Sequence, residues 1–372
     1  MQISSSVSPG VSLEEKSRRA PLSGESVITI MARVGESPAM LIERWIAELM
    51  ARDVAVLMAM VYGDVAVQDA TVARLRQGLG AMDWPLLWVE GASVGCASIA
   101  GVQMFVTAKN APLRRLTLDG RVVGTVFHAQ DSLHCVVAGI NPMDTHAAPG
   151  EQTTQVLGRT NEVLCEAGFT YGDIARTWFY NDDILAWYDD FNRARTAYYR
   201  QHAFASGSLP ASTAVRGKNR MGAALAFAAW AVIPGSVETL VREVGSPLQC
   251  PAPAYGSSFS RAMMIDVGGQ KRLFVSGTAS IEPGGKTIWQ GDAGRQIELS
   301  MQVVEAILRA QGMTFRDVER ATAYFKSIDD VGLFRNWCAQ SGLDNMPVVP
   351  VHCDICRDDL LFEIELDAWV MG

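Results

Sequence analysis

One stretch of this chain occurs twice. Residues 152–180 slide without gaps onto residues 296–324, and Gln152/Gln296, Leu164/Leu308, Gly168/Gly312, Thr170/Thr314, Asp173/Asp317, Arg176/Arg320 and Tyr180/Tyr324 coincide. The identities bracket one local pattern, GFTYGDIARTWFY against GMTFRDVERATAY. Upstream, Cys135-Val136-Val137-Ala138-Gly139 matches Leu273-Phe274-Val275-Ser276-Gly277. Downstream, Ala229-Trp230 lies over Ala368-Trp369. Such a repeat means that one supersecondary unit is used more than once and buries its apolar face against its neighbours. The two copies run over 118–240 and 251–372.

Each copy has the same order of elements. Short Val/Phe-rich runs bounded by Gly and Asp read as strands (Arg121–Phe127 and Leu133–Gly139; Met263–Val267 and Arg272–Gly277). An amphipathic helix follows, with Val303, Ile307 and Leu308 at helical spacing in the second copy. The Gly-x-Thr-x-x-Asp stretch reads as a helix stop and a new turn. A strand (Thr177–Tyr180; Thr322–Phe325), a second helix (Leu185–His202; Val331–Gln340) and a last strand (Ala223–Val232; Leu360–Val370) complete the unit. The order is β-β-α-β-α-β, an α+β layer with helices on one sheet face.

Residues 27–117 form a third segment of comparable length. Met40–Met50 reads as helix, Val54–Tyr62 as strand, and Trp88 to Val106 as two more strands. No residue match ties this segment to the other two, so a degenerate third copy is an expectation from length and order alone. Three such units in one chain would mimic a trimer of single modules. Residues 1–26, rich in Ser, Pro, Glu and Arg, read as a flexible N-terminus without the apolar core of a signal peptide.

Charge and cysteine usage narrow the function classes. The net charge of -8 carries no nucleic-acid footprint. The apolar runs Val54–Tyr62 and Ala223–Ile233 are too short for a membrane span. Seven scattered cysteines suit a reduced, cytoplasmic compartment better than a disulfide framework. A small-molecule substrate, and a monomer or small homo-oligomer, are the remaining expectation.

The copies differ most in the last strand. With Ala229-Trp230 over Ala368-Trp369, Glu363 falls opposite Ala224 and Glu365 opposite Ala226. Alternation puts Glu363, Glu365 and Asp367 on one sheet face and Phe362, Ile364 and Leu366 on the other. From pattern alone a solvated acidic face is the plainer reading. The sharper one is a carboxylate desolvated between domains, with a raised pKa, serving as a general acid. Cys353-Asp354-Ile355-Cys356 is a lone CxxC leading into a strand, which suits a structural cysteine pair better than zinc or thioredoxin-like chemistry. Arg176, Arg261 and Arg357 stand where little else is basic. Two of them could clamp a dicarboxylate through their planar forks. There is no GxGxxG after a strand, no P-loop, no HExxH and no GxSxG, so no nucleotide or metal cofactor is expected.

The second copy resembles the YjgF/RidA family in its FVSGTASI strand, the Gln296 helix, Gly312 with Asp317, and FEIELDAW. The resemblance implies tandem YjgF/RidA-like (chorismate mutase-like) modules, mixed sheets with helices packed on one face. Members are mostly homotrimers that hydrolyse enamines and imines with an arginine in a Pro-Ala-Arg stretch. Here those stretches are Pro210-Ala211-Ser212 and Pro347-Val348-Val349, and neither keeps the arginine.

The span from about Trp84 to Gly372 resembles the chorismatase family more closely. The resemblance rests on RTWFYNDDILAWYDDFN, LPAST, SPLQCPAPAYGSSFSRA, LFVSGTASI and CRDDLLFEIELDAW. It implies cleavage of chorismate with release of pyruvate and no cofactor. The family's catalytic glutamate, which protonates the enolpyruvyl methylene, falls on Glu363. The product-selecting positions fall on Cys356 and Gly277, a pair that goes with 3-hydroxybenzoate. Alanines there go with hydrolysis to a dihydroxycyclohexadiene carboxylate, and a further subgroup makes 3- and 4-hydroxybenzoate together. The expected site is therefore Glu363 and Cys356 for catalysis, with Arg176, Tyr180, Arg261, Gly277, Thr278 and Arg357 around the substrate. An enamine/imine deaminase and a non-catalytic ligand-binding protein are the readings of other classes.

Overall fold

The computed structural model describes residues 25–91, 98–235, 239–267 and 269–370. Most of the N-terminal stretch read as flexible, and Cys96, lie outside these residues. Among the described residues no helix is long and apolar enough to cross a membrane.

Three sheets form, one per segment. The first contains β1 (Ser26–Met31), β2 (Val54–Gly63), β3 (Leu86–Val89) and β4 (Ile99–Ala108), in the order β1-β4-β2-β3. The second contains β5 (Leu113–Leu118), β6 (Arg121–Ala129), β7 (Ser132–Ala138), β8 (Ile174–Asn181), β9 (Ala211–Arg216) and β10 (Leu225–Ile233), in the order β5-β6-β7-β10-β8-β9. The third contains β11 (Thr239–Val244), β12 (Ala262–Val267), β13 (Gln270–Ala279), β14 (Val318–Phe325), β15 (Val348–His352) and β16 (Phe362–Val370), in the order β11-β12-β13-β16-β14-β15. The last four places of the long sheets are the four places of the short one, with the same antiparallel and parallel pairings. Residues 26–108 thus have the topology of the repeated unit without its first two strands.

Six helices complete the units: α1 (Pro38–Met50), α2 (Gln68–Leu79), α3 (Pro149–Glu166), α4 (Ile184–Tyr199), α5 (Ala293–Ala310) and α6 (Val331–Gln340). Each pair covers one face of its own sheet, and each sheet has its own helix-side core. The opposite faces of all three sheets share a central core that includes Phe105, Trp178, Trp230 and Phe274. On the axis of this arrangement the hydroxyl of Tyr180 lies 2.9 Å from that of Tyr62 and 3.1 Å from that of Tyr324. The three tyrosines hold the same place in β2, β8 and β14.

The repeated residues have local causes. Gly168 and Gly312, with φ of +87° and +73°, follow the ends of α3 and α5 in a conformation that favours glycine. Thr170 and Thr314 then cap a short turn, and the carboxylate of Asp173 or Asp317 accepts in return from the threonine's own N–H. Gln152 and Gln296 each pin a helix to the start of the central strand. Their side-chain oxygens accept from the N–H of Ala224 and Leu361 (2.9 and 2.8 Å).

Two expectations need correction. Each long unit is β-β-β-α-β-α-β-β, with an edge strand in front (β5, β11) and a short parallel strand (β9, β15) between the second helix and the last strand. β9 is made mostly of small and polar residues, and β15 is a short Val-rich run interrupted by Pro350, which argues against a strand from sequence. The alignment of the last strands also shifts by two residues. Tyr324 pairs with Glu363 where Tyr180 pairs with Ala226 and Tyr62 with Gly101. The row equivalent to Glu363, Glu365 and Asp367 is therefore Ala226, Ala228 and Trp230 in the second sheet, and Gly101, Gln103 and Phe105 in the first.

Candidate active site

The short parallel strands close the ring, because each leaves an edge that the next sheet covers. β9 lies against the third sheet, with a bridge between Ala211 and Ser260. At this seam the ladder between β13 and β16 loses register between Val275 and Thr278, which sets Gly277 apart from its neighbours. Glu363, opposite Tyr324 in β16, turns its carboxyl into the gap. A Cβ on Gly277 would lie 2.0 Å from Glu363 Oε1, so only a glycine leaves the carboxyl where it is. The acidic face read as solvated is instead interior, since Glu363, Glu365 and Asp367 are at most 5 % exposed.

The cavity over Glu363 is walled by α4, β9, β13 and the loops before β12 and β16. Three arginines reach it. Arg195 comes from α4, where its Nη2 donates to Asn192 Oδ1 (2.6 Å) and its guanidinium lies 4.7 Å from the centre of the Phe191 ring. Arg261 donates to the Cys250 carbonyl (3.0 Å) and Arg357 to the Gly285 carbonyl (2.8 Å). Both guanidinium groups lie over Tyr255, at 5.4 and 5.6 Å. Arg195 Nε and Arg261 Nη2 are buried without a partner among the described residues. These cationic groups are bonded to carbonyls and an amide instead of carboxylates, so the cavity is built to receive negative charge.

Protonation states follow from burial. Desolvation, with the Glu365 carboxylate behind it, pushes Glu363 up to about 8 against the opposing pull of Arg176 and Arg261. Glu363 is therefore a protonated acid at neutral pH. Burial and the neighbouring Glu363 push the Cys356 thiol up to about 12, with Arg357 opposing. Cys356 is thus a neutral thiol that shapes the wall, facing Tyr188, and no thiolate nucleophile.

Of the residues expected from sequence, Glu363, Cys356, Arg261, Gly277 and Arg357 meet at this cavity. Arg176, Tyr180 and Thr278 are not on its wall. Arg176 is fully buried behind it, paired with Glu365 and lying 4.7 Å over Trp178. Its counterpart Arg320 holds Glu365 at 2.9 Å and Asp367 at 2.7 Å. Both repeated arginines thus neutralise the carboxylates of β16. Tyr180 is at the axis, and Thr278 Oγ1 donates to the Ser276 carbonyl (2.9 Å).

Arg195, Tyr188 and Tyr255 also line the cavity and were not singled out. Arg195 did leave a trace in the sequence. The buried stripe of α4 runs Ile184, Trp187, Phe191, Arg195, Tyr198, so a cation sits in an apolar face. Tyr188 follows Trp187, whose φ of −139° breaks the helix and re-aims the chain, and no pattern announces that.

The equivalent seam of the first sheet is filled. Gly101 takes the place of Glu363 in the first sheet, and a Cβ there would meet both methyl groups of Val349 at 2.9 Å. Ala226 takes it in the second.

Comparison with known proteins follows the same division. Residues 251–370 match the family model described as Endoribonuclease L-PSP. A chorismatase crystal structure superposes with a TM-score of 0.64 over 93% of this chain and 99% of that one, at 19% identity. The chain folds as a chorismatase does. A 3-hydroxybenzoate synthase of Streptomyces hygroscopicus is 28% identical over 226 residues, 53% of this chain and 64% of its own length. A chorismatase of Streptomyces rapamycinicus is 29% identical over 226 residues, 52% and 64%. The match therefore spans just under two thirds of each relative. The chorismatase fold accounts for the three sheets, and the L-PSP match covers the sheet that carries Glu363 except for its edge strand β11.

Proposed function

We propose that this protein is a chorismatase that converts chorismate to 3-hydroxybenzoate and pyruvate, with Glu363 as the acid. The observation that carries the reading is the pairing of one buried, protonated carboxyl with three arginines that hold no carboxylate of their own. Chorismate is a dianion, and two guanidinium groups among Arg195, Arg261 and Arg357 suit its two carboxylates. The names of the relatives support the same reading.

In the proposed reaction Glu363 gives its proton to the methylene carbon of the enolpyruvyl ether, and an oxocarbenium ion forms. The neighbouring ring hydroxyl attacks the ring carbon that bears the ether, forming a protonated oxirane as that carbon–oxygen bond breaks and pyruvate leaves. The oxirane then opens at the carbon that first held the hydroxyl, so the oxygen ends at the 3-position. Loss of a ring proton makes the ring aromatic and restores Glu363 to its acid form. Atoms balance without water, and Tyr255, Cys356 and Leu360 on the cavity wall leave water less room beside a bound substrate. Gly277 and Cys356 act by shape: Gly277 gives the acid room, and the thiol fills space that a water would otherwise take.

The test is direct. The purified protein is incubated with chorismate, pyruvate is measured, and the aromatic acids are separated by chromatography. Equimolar pyruvate and 3-hydroxybenzoate are expected. No pyruvate would end the reading, and aminoacrylate turnover in its place would return the chain to the deaminases.

A further inference from the structure

Thr213 of β9 is buried, and its Oγ1 serves three strands at once. It donates to Glu365 Oε2 (2.6 Å), and it accepts from Arg176 Nη2 (2.7 Å) and from the N–H of Gly277 (3.1 Å). The residue before it does related work, because the Ser212 N–H donates to Ser276 Oγ (2.9 Å). Successive residues of β9 thus hold successive residues of the β13 irregularity.

The loss of register explains the need. Once β13 leaves its ladder between Val275 and Thr278, the half-buried N–H of Gly277 requires an acceptor elsewhere. On its other side Gly277 meets the acid. The Cβ position that lies 2.0 Å from Glu363 Oε1 lies 3.3 Å from Thr213 Cγ2. A shift of this backbone is therefore passed to the carboxyl.

The equivalent strands lack the device. The ladders pair Trp178 with Thr213, Thr322 with Val349 and Met60 with Leu87. Of the three, only the strand that faces Glu363 carries a hydroxyl at this place.

We propose that Thr213 is a positioning residue, whose hydroxyl anchors Gly277 and so sets where the Glu363 carboxyl stands relative to the carbon it protonates. The proposal rests on the reading of Glu363 as the acid. Thr213 is not on the cavity wall, so its role is separate from substrate binding.

Two substitutions separate hydroxyl from shape. Thr213→Val keeps the outline and removes the hydroxyl, and Thr213→Ser does the reverse. With chorismate, Thr213→Val is expected to lower kcat about 100-fold at nearly constant KM, while Thr213→Ser keeps most of the activity. Added to Gly277→Ala, Thr213→Val is expected to cost little more, because both move the same backbone. A wild-type kcat in Thr213→Val, a loss shared by Thr213→Ser, or full additivity in the double variant overturns the proposal. Rates are compared at equal folded fraction from near-UV circular dichroism, and if the valine variant does not fold, Thr213→Ala takes its place in both comparisons, with Thr213→Ser as the variant that keeps the hydroxyl. If wild-type protein leaves chorismate untouched, the reaction itself falls. An isotope-edited infrared titration of the Glu363 carboxyl then decides the positioning: its midpoint is expected to move in Thr213→Val and stay in Thr213→Ser. The same midpoint in all three proteins overturns it.

Discussion

Gly277 and Glu363 share a space that holds only one of two things, a carboxyl oxygen or a methyl group. The distance of 2.0 Å between Glu363 Oε1 and a Cβ built on Gly277 is far inside van der Waals contact. Gly277→Ala must therefore turn the acid away from its present place. Together with Cys356→Ala, it is expected to divert product from 3-hydroxybenzoate toward the dihydroxycyclohexadiene carboxylate. Chromatography of the acids reads the ratio, and an unchanged ratio would mean that these positions do not choose the product.

Glu363→Gln keeps the side chain's shape and removes its proton. Pyruvate release is expected to fall by at least about 100-fold, the scale of a lost general acid. The fold is expected to survive. Glu363 titrates near 8 in the folded chain, far above the value of 4.5 it has when solvated. The folded state thus holds the proton more tightly, and its advantage is lost as pH rises through about 8. The glutamine variant should accordingly melt above the wild type at pH 9 and not at pH 5. Equal melting temperatures at both pH values would contradict the burial argument.

In the proposed reaction the same titration governs rate. There the acid form is the active one, so kcat is expected to hold through neutral pH and decline above about 8. Initial rates of pyruvate release across that range test it. A profile that rises with pH through 8 would show that the ionised carboxylate is the working form.

Arg195→Met and Arg261→Met each remove a guanidinium that has a buried, unpartnered N–H and leave an apolar stem of similar length. Each is expected to raise KM about tenfold to a hundredfold, as for a charged hydrogen bond worth 1.5–3 kcal/mol. Steady-state kinetics with chorismate measures the change. Unaffected KM in both would remove these arginines from the binding site.

Glu365 answers two buried arginines from two sheets, Arg176 and Arg320. Glu365→Gln leaves those cations short of their shared anion in the interior. A loss of about 3–5 kcal/mol is expected on breaking such a group from one side. Urea unfolding followed by tryptophan fluorescence measures it, and a loss below about 1 kcal/mol would mean that the pair is not what orders the seam.

The repeat made most of the fold legible. Gln152, Gly168, Thr170 and Asp173 recur because each closes a backbone problem that every unit has: an unpaired strand start, a helix end, a turn. Glu363 was legible because the aligned sequences set it opposite an alanine, Ala224; the ladders move that partner to Ala226 and add Gly101 from a segment with no residue match. Arg176 drew attention because little around it is basic, but it recurs as Arg320. An arginine repeated in two copies marks what the copies share, which is neutralisation of β16, and not what sets one site apart. Arg195 shows the converse, a cation in an apolar helix stripe without a counterpart to draw attention. Tyr188 and Thr213 depend on a helix break and a lost register, and neither leaves a periodic trace.

The three seams are separate stretches of one polypeptide. In a homotrimer a substitution at an edge strand is copied into every seam, so an interface must serve binding and cohesion together. Here a change at Ser212 or Thr213 reaches one seam and leaves Val349 and Leu87, at the same place in the other two, untouched. A chain of this kind should take up one ligand molecule, not three. It can alter its chemistry at one joint while two joints keep the ring shut.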